Sequence, residues 1–555
     1  MPTPTSGPDG HSERAVDYDV VIIGAGFGGL RAFHEMTQLG LSVRIVEAGS
    51  DVGGTWHWNR YPGVRTDSES WTYCYSFSDI LMQEWSWPEK MASGEQVQAY
   101  LAFVADRLDI RRHIDFGHRV DAVRYDGDAN IWTVTGQTGL SYRSRFVITA
   151  VGLLTKVYDP PFPGLEKFKG DYYLSARWPD ERIDFTGKRV AVIGTGSTGI
   201  QILPIVALEA EQVTLFQRTA NYVLPARNNP ISAEEQRAIK KNYERIWSEV
   251  RNQVFAFAMP SPGRLHDDVT DAERHAILEA GWETGGFHYL FDTFDDVMVD
   301  ERSNEAASEF VRQKIRAIVK DPATAEKLSP NYPIGAKRTA LGHGYYETFN
   351  RENVSLVDIS EDPIVEITSD GVRTAGAAYD FDILIFALGF DAATGALNDI
   401  EVRGRDGILL RDKWQAGPRT ALGVAVDGFP NLFMVSGPQA PFANIPPITE
   451  AAATWIGRAV KTALQSTELY IEASPEEVQA WTDHITTLLD ATLLAKVGGL
   501  TSWFLGSNIP GKPRSPLFHF GGANRYFDEL RESAESGFPG FTIARSGSRV
   551  SSDRR

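Results

Sequence analysis

Apolar positions along the chain fall into two textures. The first is a short unbroken apolar run that ends in spaced glycines. Val20-Val21-Ile22-Ile23 leads into Gly24, Gly26, Gly28 and Gly29, and Val190-Ala191-Val192-Ile193 leads into Gly194, Gly196 and Gly199. Each run predicts a buried strand, and each glycine set predicts a tight turn opening a helix, the βα unit that cradles a dinucleotide pyrophosphate. One such turn is a weak signal, whereas two in one chain imply two dinucleotides. The first predicts a helix over 29–39 and a strand over 42–46 ending in Glu47; the second predicts a strand over 212–217 ending in Arg218 and Thr219. Runs at 146–152 and 382–389 echo the pattern, each ending in a small residue and a glycine, and predict strands passing close beneath a cofactor. Because the second echo follows the second turn, the second dinucleotide domain is expected to be inserted in the first, with residues from about 379 onward returning to the first.

The second texture is helical and fills 232–330. Ser232-Ala233-Glu234-Glu235 and Thr270-Asp271-Ala272-Glu273 read as capping boxes. This stretch carries Trp247, Phe255, Phe257, Trp282, Phe287, Tyr289, Phe291 and Phe294. So many aromatics usually mean core, although an insertion lying over a cofactor could present some to an apolar substrate. The expected class is α/β, with two Rossmann-like dinucleotide-binding domains and a helical insertion. The expected boundaries are a disordered tail (1–16), a first domain (17–156), a second domain (157–229), the insertion (230–330), a return to the second domain (331–379), a return to the first (380–545) and a disordered tail (546–555).

Composition narrows the partners. Lys and Arg total 55 against 73 Asp and Glu in 555 residues, a formal charge of −18, which argues against nucleic-acid or anionic-membrane partners. There is no basic-then-apolar leader and no apolar run near the roughly 20 residues of a membrane span, so a cytoplasmic location is expected. The lone Cys74 sits between tyrosines and reads as a buried small hydrophobe; it excludes an intramolecular disulfide and a Cys-x-x-Cys redox pair. The eleven histidines show no metal-ligand spacing, and no metal is predicted.

Strand-tip chemistry separates the two turns. A carboxylate at Glu47 can accept hydrogen bonds from a ribose diol and would repel a 2′-phosphate, so the first site suits FAD or NAD. The second offers Arg218, whose guanidinium matches a phosphate bidentately, and the Thr219 hydroxyl. This assigns NADPH to Gly194, Gly196, Ser197, Thr198 and Gly199 and, by elimination, FAD to Gly24, Gly26, Gly29 and Glu47.

Three further stretches are more specific: Gly53-Gly54-Thr55-Trp56 with Tyr61-Pro62-Gly63 and Asp67; Tyr332-Pro333-Ile334-Gly335-Ala336-Lys337-Arg338; and Gly344-Tyr345-Tyr346-Glu347-Thr348-Phe349-Asn350-Arg351. With them the chain resembles the type I Baeyer–Villiger monooxygenases from Asp17 to about Phe541. In that family FAD is reduced by NADPH, captures O2 as a C4a-peroxyflavin and converts a ketone to an ester or lactone. The resemblance implies that Arg338 is the active-site arginine and Asp67 the acid that holds it. It also implies that Gly54, Thr55, Trp56, Asp67 and Tyr73 face FAD, and that Lys337 joins Arg218 at the NADPH 2′-phosphate. Trp503 corresponds to a tryptophan that folds over NADP from a mobile loop near 485–512. Phe442, in Gly437-Pro438-Gln439-Ala440-Pro441-Phe442, and Leu154 are the substrate-side candidates. The chemistry agrees, because a desolvated guanidinium stabilises negative charge developing on oxygen.

One departure stands out. The family signature Phe-x-Gly-x-x-x-His-x-x-x-Trp-Pro is here Phe168 to Pro179 with Leu174 at the histidine position, and leucine neither donates nor accepts a hydrogen bond. The expectation is a monooxygenase acting on an apolar ketone and O2, as a monomer or weak homo-oligomer. The rivals are an N- or S-oxygenating flavoenzyme, a poorly coupled NADPH oxidase, and a flavoprotein without turnover. A flavin disulfide reductase is nearly eliminated by the single cysteine.

Overall fold

A computed structural model describes residues 16–465 and 469–543. The tails expected at 1–16 and 546–555 lie, apart from Val16, outside the described residues.

The first apolar run forms the strand Tyr18–Ile23, flanked in parallel by Val43–Val46 on one side and Ser141–Thr149 on the other. Beyond Val43–Val46 lies Ile114–Asp115; beyond Ser141–Thr149 the sheet turns antiparallel through Ile131–Gly136 and Val120–Asp126, then ends on Glu401–Arg403. Leu432–Met434 also pairs with Ser141–Thr149 in parallel, with Met434 opposite Thr149. The helix Phe27–Gln38 buries Leu30, Ala32, Phe33 and Met36 against the long helix Ile445–Gln465. Burial of each large apolar side chain is worth about 1.5–3 kcal/mol. The two helices approach so closely that a Cβ added at Gly457 would sit 2.4 Å from Glu35 Cγ.

The second sheet is wholly parallel, in the order Val354–Asp358, Gln212–Gln217, Arg189–Ile193, Ile383–Phe386, Asp171–Leu174. Its inner strands Arg189–Ile193 and Ile383–Phe386 read as near-continuous apolar runs because both faces are covered, whereas the edge strands Val354–Asp358 and Asp171–Leu174 carry polar and exposed residues. Here the sequence reading needs correction: the echo at 382–389 does not lead back to the first sheet from about 379. It pairs between Arg189–Ile193 and Asp171–Leu174, and the first strand to rejoin the first sheet is Glu401–Arg403.

Between Val223–Pro225 and Ala340–Gly342, which pair in parallel as a neck, the chain is helical. Its helices include Ala233–Lys241, Tyr243–Asn252, Asp271–Thr284 and Glu301–Ile318. Both capping boxes form: Glu235 N donates to Ser232 Oγ (3.2 Å) and Ser232 N to Glu235 Oε2 (2.7 Å), with the same exchange between Thr270 and Glu273. Each cap contributes about 1 kcal/mol. Among the described residues no helix is long and apolar enough to cross a membrane.

Candidate active site

The two glycine turns share one backbone design. Gly24 (φ +105°) and Gly194 (φ +117°) adopt a conformation closed to other residues, and a Cβ at either would lie 2.4 Å from the carbonyl oxygen of the small residue ending its echo strand, Ala150 and Ala387 respectively. Gly26 faces Gly54 Cα, 3.4 Å from where its Cβ would stand, and Gly196 faces open space. Gly29 and Gly199 stand differently. A Cβ there would lie 1.8 Å and 2.1 Å from the carbonyl oxygens of Gly24 and Gly194, and neither residue lines the cavity. Their missing Cβ lets helix and strand approach closely, a packing role. Gly28, absent from the expected set, does line the cavity.

Both turns open into one cavity of about 1750 Å³. Its first end holds Glu47, 4% exposed, with Oε2 accepting from Ala25 N and Oε1 from Gly49 N, both at 2.6 Å. Burial pushes the Glu47 carboxyl above its usual range against those bonds. The acid expected to meet a ribose therefore also fastens its own turn. Gly54, Thr55, Trp56, Asp67 and Tyr73 line the adjoining stretch.

At the other end Arg218, Thr219 and Lys337 line the wall beyond Ser197 and Thr198. Burial and the nearby positive charge of Arg218 pull Lys337 down to about 8. Two neighbouring cations with no carboxylate bonded to either among the described residues make a site for an anion.

Arg338 stands where the halves meet. Its Nη1 donates to Ser197 Oγ at 2.7 Å and lies 2.6 Å from Asp67 Oδ2. The Asp67 side chain is 3% exposed, and its Oδ1 has no partner among the described residues, a buried acceptor at the cavity wall. The segment carrying Asp67 is fixed by Thr66 N donating to Ala92 O (2.9 Å) and by a bridge to the helix Ser197–Glu209: Tyr61 OH donates to Gln201 Oε1 (2.9 Å) while Gln201 Nε2 donates to Arg65 O (3.3 Å). Gln201 escaped the sequence reading, although a lone amide between Ile200 and Ile202 on so apolar a helix was a visible signal.

The remaining walls are aromatic. Of the eight aromatics singled out in the insertion, Phe255, Phe257, Phe287, Phe291 and Phe294 line the cavity, and Trp247, Trp282 and Tyr289 are core. Opposite stands Phe442, its ring 4.8 Å from Trp503, edge to face, and 5.6 Å from Phe518. Leu154 also lines the cavity. Of the stretch near 485–512 expected to be a mobile loop, the start is the last turn of the helix Pro475–Asp490 and a further short helix forms at Leu493–Lys496; beyond them, Trp503 sits on a short turn whose following residues are tied down. Asn508 Nδ2 donates to Phe390 O (3.1 Å), and Lys512 pairs with Asp391 and donates to Ala392 O (2.8 Å).

The fold also gathers His484, His519 and Glu529, residue types that ligate metals, with ligand atoms within 4.8 Å of one another. Sequence spacing could not reveal this, since the three are far apart in the chain. Gly521 N donates to His519 Nδ1 (3.2 Å), which places the proton on Nε2, where it bonds Glu529 (3.0 Å). Arg525 also bonds Glu529, at 2.9 Å, so the cluster is a satisfied hydrogen-bond network.

Residues 17–231 match the family model described as flavin-binding monooxygenase-like. A Baeyer–Villiger monooxygenase of Pseudooceanicola batsensis is 39% identical over 96% of this chain and 98% of its own. The phenazine N-monooxygenase PhzNO1 of Lysobacter antibioticus is 40% identical over 95% and 97%. A solved OTEMO complex with FAD and NADP superimposes with a TM-score of 0.92 at 39% identity, covering 96% of this chain and 100% of that one. With identity spread over nearly the whole length, the chain belongs to the Baeyer–Villiger monooxygenases within the flavin-binding monooxygenase-like family.

Proposed function

We propose that this protein is an FAD- and NADPH-dependent monooxygenase that converts an apolar ketone into an ester or lactone. The observation that carries the reading is Arg338, paired with buried Asp67 and bonded to Ser197 between the two glycine turns. The residues present fit both cofactors: two turns opened by the Cβ-intolerant Gly24 and Gly194, a carboxylate at one strand tip and, at the other, an Arg218–Lys337 corner with no carboxylate partner among the described residues. FAD, when bound, supplies the hydride acceptor and the site at which O2 is activated.

Arg218 and Lys337 hold the 2′-phosphate as paired cations. Arg338 keeps a permanent positive charge where negative charge develops on oxygen, and Asp67 orients it from a desolvated position. Phe257, Phe287, Phe291 and Phe442 keep water from the reacting atoms and favour an apolar substrate. The test is product mass after incubation with NADPH and O2, with linear, cyclic and aryl ketones set against sulfides and N-heteroaromatics. One oxygen added to a ketone as ester or lactone is expected; N-oxide or sulfoxide without ester would overturn the reading. N-oxygenation is the second reading, supported by the equal similarity to a phenazine N-monooxygenase.

A further inference from the structure

Two residues beyond Asp67, Glu69 is almost wholly buried, its side chain 7% exposed, and it meets two cations. Its Oε1 lies 3.4 Å from Lys90 Nζ and 3.3 Å from His288 Nε2. Its segment is fastened further by Ser70 N donating to Lys90 O (2.8 Å) and Tyr73 N donating to Glu69 O (3.1 Å), and Tyr73 itself lines the cavity. His288 belongs to the other wall. It opens the short helix His288–Phe291 of the insertion, and its neighbours Phe287, Leu290 and Phe291 face the cavity. Its second nitrogen, Nδ1, lies 2.5 Å from Asp292 Oδ2. The charged groups around the imidazole are therefore Glu69 and Lys90, Asp292 at the end of its own helix, and Arg264, which donates to Asp292 O at 2.7 Å. Burial alone would depress the imidazole pKa, but the bonds to Asp292 and Glu69, with their negative charge, push it up to about 9. Both ring nitrogens are then donors at neutral pH.

We propose that Glu69, gripped by Lys90 and His288, is a positioning residue that sets the spacing between the Asp67 segment and the aromatic wall at 287–291, and hence the fit of the ketone. This inference rests on the function proposed above. It adds a tie made only of this chain's own side chains, joining the wall that carries the orienting acid to the wall that carries the apolar rings. Because the folded-state pKa of His288 is raised, the tie is complete below its ordinary value of 6.5 and is lost as pH rises through about 9.

The experiment compares wild type with His288→Gln and His288→Arg, measuring ketone KM and kcat separately at saturating NADPH from pH 7 to 10, and following the His288 ring by NMR titration. In wild type the ketone KM should climb as pH passes about 9, in step with the ring titration. Glutamine keeps a donor but loses the charge and should raise ketone KM about tenfold at pH 7.5, the scale of one charge-assisted hydrogen bond. Arginine keeps the charge at every pH, so it should restore KM and erase the alkaline rise. An unchanged KM in His288→Gln, an arginine variant that behaves like glutamine, or lowered melting temperatures with the alkaline limb intact would each overturn the proposal. Wild-type protein that makes no ester would instead sink the functional reading, while the ring titration would still report whether Glu69 and His288 pair.

Discussion

The two dinucleotide turns are nearly the same object in backbone and opposite objects in charge. Gly24 presses on Ala150 as Gly194 presses on Ala387, and Gly29 and Gly199 each sit against the first glycine of their own turn. At the strand tips the likeness ends. Glu47 spends both carboxylate oxygens on its own loop, so the first turn is self-fastened, whereas Arg218 and Lys337 repel each other, with no carboxylate bonded to either among the described residues. A self-satisfied site is organised before its ligand arrives; a site of two like charges gains much of its order from the ligand. This contrast suits one cofactor that stays and one that comes and goes, and the cation proposed to be catalytic, Arg338, stands where the two designs touch.

The largest expected effect comes from removing that cation. Arg338→Ala should lower product formation by at least about 10²–10³-fold, the usual consequence of losing one donor at a developing oxyanion. NADPH affinity should change far less, because the anion corner is made by other residues; equal losses of turnover and affinity would place Arg338 in the nucleotide site instead. Next comes exchange of strand-tip chemistry. Arg218→Glu gives the second turn the sign of the first, and preference for NADPH over NADH should fall by about a hundredfold, the scale of a charge-assisted contact to phosphate turned repulsive. An unaltered preference in competition kinetics would show that Lys337 alone reads the phosphate. A smaller effect is the pH dependence of that corner. Lys337 titrates near 8 in the free protein and binds phosphate only as the cation, so NADPH Kd should weaken as pH rises through 8. Lys337→Arg should remove this dependence, as read by isothermal titration.

How much of this was legible in the chain varies with how local the signal is. Both turns, the strand Gln212–Gln217 and the two capping boxes were readable because glycine spacing, apolar runs and caps are written within a few residues. The strand Ile383–Phe386 was assigned to the wrong sheet, since an apolar run announces burial but not its neighbours. Gly29 and Gly199 belong to motifs that touch ligand, yet their own job is packing, a distinction that only the third dimension makes. Glu69 and His288, 219 residues apart, offered no local pattern, and the same holds for the His484, His519 and Glu529 network.

The finest test of the comparison concerns Leu174. In the first sheet Met434 flanks the end of the echo strand opposite Thr149; in the second, Leu174 flanks the corresponding end opposite Phe386. Each is followed by cavity-lining residues, Val435 and Ser436 after one, Ala176 and Arg177 soon after the other. Leu174 thus occupies the joint at which the second sheet hands the chain to the cavity, and it packs there, partly buried, against the apolar cluster that contains Phe386. An apolar side chain holds this joint by packing alone and carries no hydrogen bond across it. Leu174→His should therefore do two small things at once. Burying an imidazole in that cluster should lower stability by about 1–2 kcal/mol, a fall of a few degrees in Tm. A donor restored at the joint should also reduce hydrogen peroxide released per NADPH by about twofold, since twofold is only a fraction of the free energy of one hydrogen bond. Peroxide yield that stays constant while Tm falls would mean that the joint is purely a packing contact, and that coupling is set entirely on the Arg338 side of the cavity.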